Sequence, residues 1–557
     1  MERKEKYDYL ILGTGNSALT LGALLAHAGY RVCMLEAHDI PGGYAQSFKW
    51  GDFYFCGQVH YIWGCGKGGR IYEFLKHIGL EKEITFELFD PDGYDHMVMP
   101  DGKRVKIPYG FENLALSIDA AYPGQGEKVR KFTAVLDRIR HELKRVPDRA
   151  ITPIDILTQG WQYPTLLRYR TSTLQDVFDE CELSKESQAV LIANAGDMMS
   201  PPNELTIFAY MGLFCGYNTG AYYPTKHFKH YIDTLANFIT SHRGCHIFYE
   251  AQVSKIHTSG DRVTKVETVD GRVFSGTNVV SNIDPKRTAE MIGMHKFPRN
   301  WQHKLEYKYS PSGIMIYLGL KNADLKKHGF GSYNIWHLEQ WDMNKMWEEQ
   351  AHGDFSNPWI FISTHTLHTK ERGTVAPKDC DIMEIATYTE YQWLKDLRDK
   401  DFEAYEREKS RLAERMIDIV EQHYFPDIRK HIITKVIGSA STNEDYAWAP
   451  QGNAYGMAFT PNQVGPGRFG FNTPWSNFYL CNATAGYAGM HGTTGNGCNL
   501  YQQLTGDVFY SGKTAPTDEE LIAALPSEYP DRFKDSATAL PARIPEREAP
   551  SVQGAFK

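Results

Sequence analysis

The chain has 557 residues, 42% of them hydrophobic and 23% charged, with a formal net charge of −8. Those values describe a folded chain of several domains, and they exclude a mostly disordered chain, a collagen-like one and one with an overall basic nucleic-acid footprint. Aromatic residues reach 13%, enough to line a large apolar cavity as well as to fill cores. The nine cysteines are scattered, with no C-x-x-C pair. No disulfide framework and no metal site are expected, and reduced thiols fit a cytoplasmic compartment. No signal peptide is expected, and the longest apolar stretch, Leu205–Cys215, falls short of the ~20 residues a membrane span needs.

Tyr9-Leu10-Ile11-Leu12 reads as a short buried parallel strand. Gly13-Thr14-Gly15-Asn16-Ser17-Ala18 follows at once, then an Ala- and Leu-rich helix closed by Gly29. Arg31–Leu35 is a second strand, ended by Glu36. This is a β-α-β unit with a G-x-G-x-x-A turn and an acid at the end of the second strand. Each part suits a dinucleotide. The glycines let the backbone turn tightly and approach a pyrophosphate, the helix N-terminus stabilises that anion, and the acid accepts hydrogen bonds from an adenosine ribose. Pro41-Gly42-Gly43-Tyr44-Ala45 comes next and offers a second backbone approach, suited to a longer cofactor lying across the sheet.

Ile154–Tyr169 mixes apolar residues with Trp and Tyr and ends beside Arg168 and Arg170. It is a candidate for peripheral membrane contact, although Pro164 interrupts it. Ile247–Val253 and Val263–Thr268 read as strands, with Asp270-Gly271 as a hairpin turn, and Val279–Pro285 as a further buried strand. The run Lys395–Arg415 alternates charge and reads as a solvated helix. Phe478–Cys481 is a strand leading into the small-residue loop Asn482–Gly492 and a helix from about residue 494. Beyond residue 512, scattered prolines and charges suggest an extended arm, with one short helix opened by a Thr517–Glu520 capping box.

These segments resemble the FAD-dependent carotenoid and retinoid oxidoreductases, a family that includes phytoene desaturase, carotenoid cis–trans isomerase and retinol saturase. The resemblance is carried by the N-terminal turn, Gly42-Gly43, Gly57-Gln58-Val59-His60-Tyr61, Val280–Pro285, Ala454-Tyr455-Gly456 and the loop 479–492, all in the family's order. It implies an α/β fold in which a Rossmann-type FAD-binding domain is interleaved with a mixed α+β substrate domain, as in amine-oxidase and phytoene-desaturase flavoproteins. Residues 1–90, 216–300 and 465–512 would form the first, 91–215 and 301–464 the second, and 513–557 the proline-rich arm.

The resemblance also implies roles. Gly13, Gly15 and Ser17 match positions that hold the FAD pyrophosphate, and Glu36 matches the ribose acid. Gly42, Gly43 and Ala45 lie beside the cofactor, and Val253 matches the residue whose backbone meets the adenine. Gly489, Met490 and His491 occupy the helix start that faces the flavin, next to Ala483. Two departures stand out. Asn482-Ala483 replaces a common Gly-Asp, which removes a ribityl contact. Pro224-Thr225-Lys226-His227-Phe228 puts side chains where backbone usually lies near the cofactor.

The implied substrate is an apolar conjugated polyene, carotenoid- or retinoid-like, handled by a desaturase, a saturase or an isomerase. A reductive cyclase acting on a polyene polyketide stays open. No nucleophile elbow, H-E-x-x-H or P-loop occurs. His60 and Tyr61 are candidate acids near the reacting bond, His60 being equally readable as a structural histidine. Asp197 lines the pocket or caps a helix. Trp161, Tyr163, Tyr169, Phe208, Tyr210, Phe214, Trp336, Trp341, Trp347 and Tyr388 are candidates for an aromatic tunnel wall. Nothing indicates an oligomeric state.

Overall fold

A computed structural model describes residues 7–146, 158–192, 196–512 and 515–525. Tyr7–Leu12 (β1), Val32–Leu35 (β2), His246–Phe248 (β3), Gly276–Ser281 (β4) and Phe478–Leu480 (β5) form one sheet in the order β3-β2-β1-β4-β5. Every pairing in it is parallel. Such a sheet must be covered on both faces, and the pleat of β1 shows how. Tyr9 and Ile11 pack towards Asn16–His27 (α1), whereas Leu10 and Leu12 pack on the opposite side with Val253, Ile256 and Val266. Those last residues belong to a small antiparallel sheet, 253–259, 262–268 and 273–274.

The expected strand Ile247–Val253 is thus two strands in two sheets. Glu250, at φ +50°, turns the chain between them, and the amides of Glu250 and Ala251 are taken by the carbonyls of His38 and Glu36.

A second, seven-stranded mixed sheet runs in the order 432–438, 312–321, 380–389, 360–363, 334–337, 95–98, 104–107. Its strands come from segments lying on either side of β3 and β4 in the chain, so the two sheets are interleaved. One face is covered by Phe402–His423 (α2), where Leu412, Met416 and Val420 meet Ile314, Ile316, Ile335, Ile362 and Ile385. Alternate residues point the other way. Met315, Trp336, Phe361 and Ala386 line a cavity between the two sheets. The charged run is therefore solvated on one side only. It is also two helices, broken at Asp401, whose side chain accepts the Ala404 amide at 2.9 Å and caps α2.

Of the Ile154–Tyr169 stretch, residues 154–157 lie outside the described residues. Pro164–Tyr169 is a short helix, and Trp161 is 76% exposed. Among the described residues no helix is long and apolar enough to cross a membrane. All nine cysteines are buried and unpaired. In the arm, Thr517 caps Asp518–Ala523 through the expected box with Glu520, while 513–514 and 526–557 lie outside the described residues.

The α2-facing side of the second sheet is tightly packed, so Ile316→Ala should cost about 2–5 kcal/mol, seen as a lowered urea midpoint. Ile433, 52% exposed on the edge strand, should tolerate alanine at under about 1 kcal/mol.

Candidate active site

The turn after β1 is built for close backbone approach. Gly13, at φ +103°, donates its N–H to the Leu35 carbonyl at 2.7 Å. Gly15 starts α1, whose first turn has no side-chain cap, so helix N–H groups there stay available to an anion. The Gly15 amide donates to Asn282 Oδ1 at 2.9 Å, and a Cβ on Gly15 would lie 2.5 Å from that oxygen. Gly42, at φ +119°, donates to the Thr14 carbonyl at 3.1 Å and pairs with Gly15 in a parallel bridge. The two glycine turns therefore form one continuous backbone surface. Behind it, Glu36 accepts from the Thr14 amide at 2.9 Å, the Thr14 hydroxyl and the His38 amide at 3.0 Å.

A second uncapped helix start faces the same cavity. Gly489–Thr505 (α3) begins at Gly489 with φ +73° and open space where a Cβ would stand. This helix starts at 489 rather than near 494, and further along it Gly497 packs closely on α1, where a Cβ would lie 2.7 Å from the Ser17 carbonyl. The Asn16 amide joins the two starts by donating to the Met490 carbonyl at 3.1 Å and to Thr494 at 3.0 Å, while Asn16 Oδ1 is buried without a partner.

The loop before α3 is knotted by Asn482, which accepts the amides of Thr484 and Ala485 at 3.0 and 2.9 Å. Buried Arg468 grips the same loop through the carbonyls of Ala483 at 2.7 Å and Gly486 at 2.5 Å. Burial draws its pKa down to about 10, so it stays charged. Two partially positive helix starts, two glycine turns, an orphaned acceptor and a ribose-type acid fit a long anionic dinucleotide such as FAD.

The other end of the cavity is walled by Trp336, Trp359, Phe361, Tyr217 and Tyr455. Asp197 stands here. Burial pushes its carboxyl up to about 7, against the opposing pull of the Tyr455 and Tyr217 hydroxyls. Tyr61 stacks on Tyr217 at 3.9 Å and 8°, and its hydroxyl donates to Asp95 Oδ2 at 3.2 Å. Burial, with Asp197 nearby, pushes the Asp95 carboxyl well above the usual range, and burial likewise holds the Tyr61 hydroxyl protonated.

His60 packs against Phe361, with ring centres 4.8 Å apart. Its Nδ1 lies 3.3 Å from Glu384 Oε2, and His365 Nδ1 lies 3.2 Å from Glu384 Oε1. Burial lowers His60 against the opposing pull of Glu384, and sends His365 down to about 3. Both rings are neutral at pH 7, so the titrating proton in this wall belongs to Asp197 rather than to His60.

Among the residues proposed from sequence, Gly15, Ser17, Gly42, Gly43, Ala45, His60, Tyr61, Asp197, Ala483, Gly489 and Met490 line this cavity. Gly13 and Glu36 sit behind the lining and shape the turn. The Ser17 hydroxyl is engaged by Cys481 and Asn282 at 2.8 Å each, so Ser17 offers its backbone to the cavity. Val253 is not brought there. It pairs with Thr268 in the antiparallel sheet, and the backbone that meets Glu36 is that of Ala251, whose N–H reaches the Glu36 carbonyl at 2.7 Å. His491 stacks on Trp63 at 4.7 Å, and burial takes it down to about 3; it is not in the lining.

Residues 224–228 do not reach the lining either. Of the ten aromatics proposed as a tunnel wall, Trp336 lines the cavity. Tyr210 and Phe214 are core residues of the helix Ile207–Asn218, and Trp347 stacks on Tyr388 at 4.3 Å away from it. Sequence reasoning gave no role to Asp95, Glu384 or Arg468. The first two share one feature: each is an acid in a strand that is buried throughout.

A parallel dinucleotide-binding sheet interleaved with a ring-walled second sheet defines a flavoprotein oxidoreductase fold. The family model described as flavin containing amine oxidoreductase matches residues 19–499, and the chain belongs to that family. It is an FAD-dependent enzyme. A chloroplastic prolycopene isomerase 2 of an Oncidium hybrid cultivar is 23% identical over 547 residues, covering 94% of this chain and 88% of that protein. An all-trans-retinol 13,14-reductase of Danio rerio is 23% identical, covering 81% and 78%. Among solved structures, an oxidoreductase from Methanosarcina mazei aligns at TM-score 0.60 with 16% identity over 89% of this chain and 99% of that one. Cyclohexylamine oxidase from Brevibacterium oxydans aligns at 0.58 with 12% identity, over 90% and 99%.

Gly15→Ala should introduce about 1–3 kcal/mol of strain against Asn282, weakening FAD binding by roughly 5- to 150-fold. Flavin fluorescence titration of the apoprotein reads this directly.

Proposed function

We propose that this enzyme acts on carbon–carbon double bonds of an apolar conjugated polyene of the carotenoid or retinoid kind. The observation that carries this reading is the cavity's far wall, where Trp336, Trp359 and Phe361 share the lining with Asp197, a carboxyl raised to about 7. Flat rings suit a flat conjugated chain, because both bury apolar area face to face. Relatives named prolycopene isomerase and all-trans-retinol 13,14-reductase support the same substrate class. Bound FAD supplies hydride exchange with carbon–carbon bonds. The protein's residues do the rest. The glycine turns and the two helix starts bind and orient the dinucleotide, and the aromatic wall excludes water. Asp197 holds a proton at its carboxyl, with Tyr217 and Tyr455 fixing its direction. A carboxyl of this kind can deliver a proton to the polyene, as saturation requires, and the same group takes one up in the reverse direction.

The deciding experiment is product mass. The purified flavoprotein would be incubated anaerobically, with its flavin reduced, against carotenoids and retinoids, and the products followed by liquid chromatography and mass detection. A gain of two hydrogens supports saturation, and an unchanged mass with shifted retention supports isomerisation. A ring-closed product from a polyene polyketide alone would assign the reductive cyclase instead. Reduction of the flavin by primary amines, with every polyene inert, overturns the polyene reading.

Asp197 acts in its protonated form, so the rate should be full below pH of about 7 and fall above it. Asp197→Asn should abolish that limb and lower kcat by about 100- to 10,000-fold. The Tyr455 hydroxyl lowers the Asp197 pKa, so Tyr455→Phe should keep the limb and move it to higher pH. A limb left unmoved by both substitutions would assign it to another group.

A further inference from the structure

We propose that His337, Glu339 and His423 form a binding site for one divalent transition-metal ion of zinc's coordination preference, on the α2-facing side of the second sheet and away from the flavin cavity. His337 ends the strand Asn334–His337 on the same face as Ile335, Glu339 follows two residues later, and His423 is the last residue of α2. His337 Nε2 and His423 Nε2 converge on one oxygen, Glu339 Oε1, at 3.9 and 3.7 Å. All three ligand atoms lie within 4.8 Å of one another.

Those distances are too long for hydrogen bonds. Both ring nitrogens are buried without a partner, although the His337 side chain is only 4% exposed. A buried unpaired nitrogen carries a cost that a shared ion would remove. The two nitrogen–oxygen spacings exceed by a few tenths of an ångström the ~3.4 Å edge of a tetrahedral site with bonds near 2.0–2.1 Å.

The outer partners are in place as well. His337 Nδ1 meets the Tyr424 hydroxyl at 2.8 Å, which fixes the ring and leaves Nε2 for the ion. Arg415 donates to the other carboxylate oxygen, Glu339 Oε2, at 2.7 Å and is itself anchored on the Phe355 carbonyl at 3.1 Å. That holds Glu339 as a single-oxygen ligand. The C-terminal end of α2 adds partial negative charge. The His423 side chain is 32% exposed, so the site lies just beneath the surface, where an ion has a short way in.

The inner group, His60, His365 and Glu384, has the same composition but not this character. There the two rings meet different oxygens of Glu384, at 3.3 and 3.2 Å, instead of converging on one, and Glu384 and His365 are fully buried. An ion would have to shed all its water to enter.

The test uses full-length FAD-loaded protein, dialysed against chelator and titrated with zinc chloride. Wild type should retain one zinc per chain after gel filtration. His423→Ala and Glu339→Gln should each reduce retained zinc at least tenfold, with flavin absorbance per chain unchanged as the check on folding. His303→Ala, at an exposed His303–Glu306 pair, should change nothing. X-ray absorption at the zinc edge of the wild type should show two imidazoles, a readout that needs no variant. Failure of the wild type to retain zinc overturns the proposal. Equal retention by His423→Ala and Glu339→Gln, or an edge spectrum without imidazole, also overturns it.

Discussion

The carboxamide of Asn282 is the point on which the cofactor cradle depends. It accepts the Gly15 amide at 2.9 Å, and it donates to the Ser17 hydroxyl at 2.8 Å and to the Cys481 carbonyl at 2.6 Å. Three segments distant in sequence, the ends of β1, β4 and β5, are thereby fixed to one side chain. The position is where a doubly wound sheet opens, between β1 and β4, with the chain leaving in opposite directions on either side. Because Asn282 occupies the space where a Gly15 Cβ would stand, the first helical turn must sit close to the β4 end. That closeness leaves the uncapped N–H groups of α1 exposed to the cavity. From there Gly42 docks on Thr14, and Asn16 ties α1 to α3.

Electrostatics divides the cavity into two ends with opposite logic. At the dinucleotide end, partial charges come from backbone and helix starts, which are fixed in place and cannot titrate. At the ring-walled end the side chains carry ionisable groups, but burial neutralises them. Asp95 and Asp197 are raised, while His60 and His365 are lowered. An anion is welcomed at one end and an uncharged apolar molecule at the other. Burial raises Asp197 to about 7, with two tyrosine hydroxyls partly offsetting its desolvation.

What was legible in the sequence was whatever rests on local geometry. The β-α-β unit, Gly42-Gly43 and the Thr517 cap each need particular residues at fixed short spacing, so they are visible without the fold. The break at Asp401 was missed because charge alternation says nothing of where a helix is capped. Strand 247–253 was misread because β-type composition continues through Glu250, where the chain leaves one sheet for another. The aromatic wall was the least legible part. Trp336 and Phe361 reach the cavity only because their strands are neighbours, whereas Tyr210 and Phe214, equally aromatic, sit in a buried helix. Arg468 had no local signal at all, since its partners are carbonyls of a loop that other contacts shape.

The second sheet shows how one pleat sorts chemistry to two places. Along Cys380–Thr389, Met383 and Ile385 face α2, so Glu384 between them must face the cavity, where His60 and His365 meet it. Along Asn334–His337 the parity is reversed for the polar residue. Trp336 faces the cavity, so His337 must lie with Ile335 under α2, within reach of His423. A slip of one residue in either strand would exchange these faces, placing a carboxylate among leucines and a tryptophan against a helix. Such a slip would also take Met383 and Ile385, or Ile335, off α2, and the loss of that apolar burial opposes it. The apolar contacts on one face of the sheet thus hold in register the ionisable groups on both.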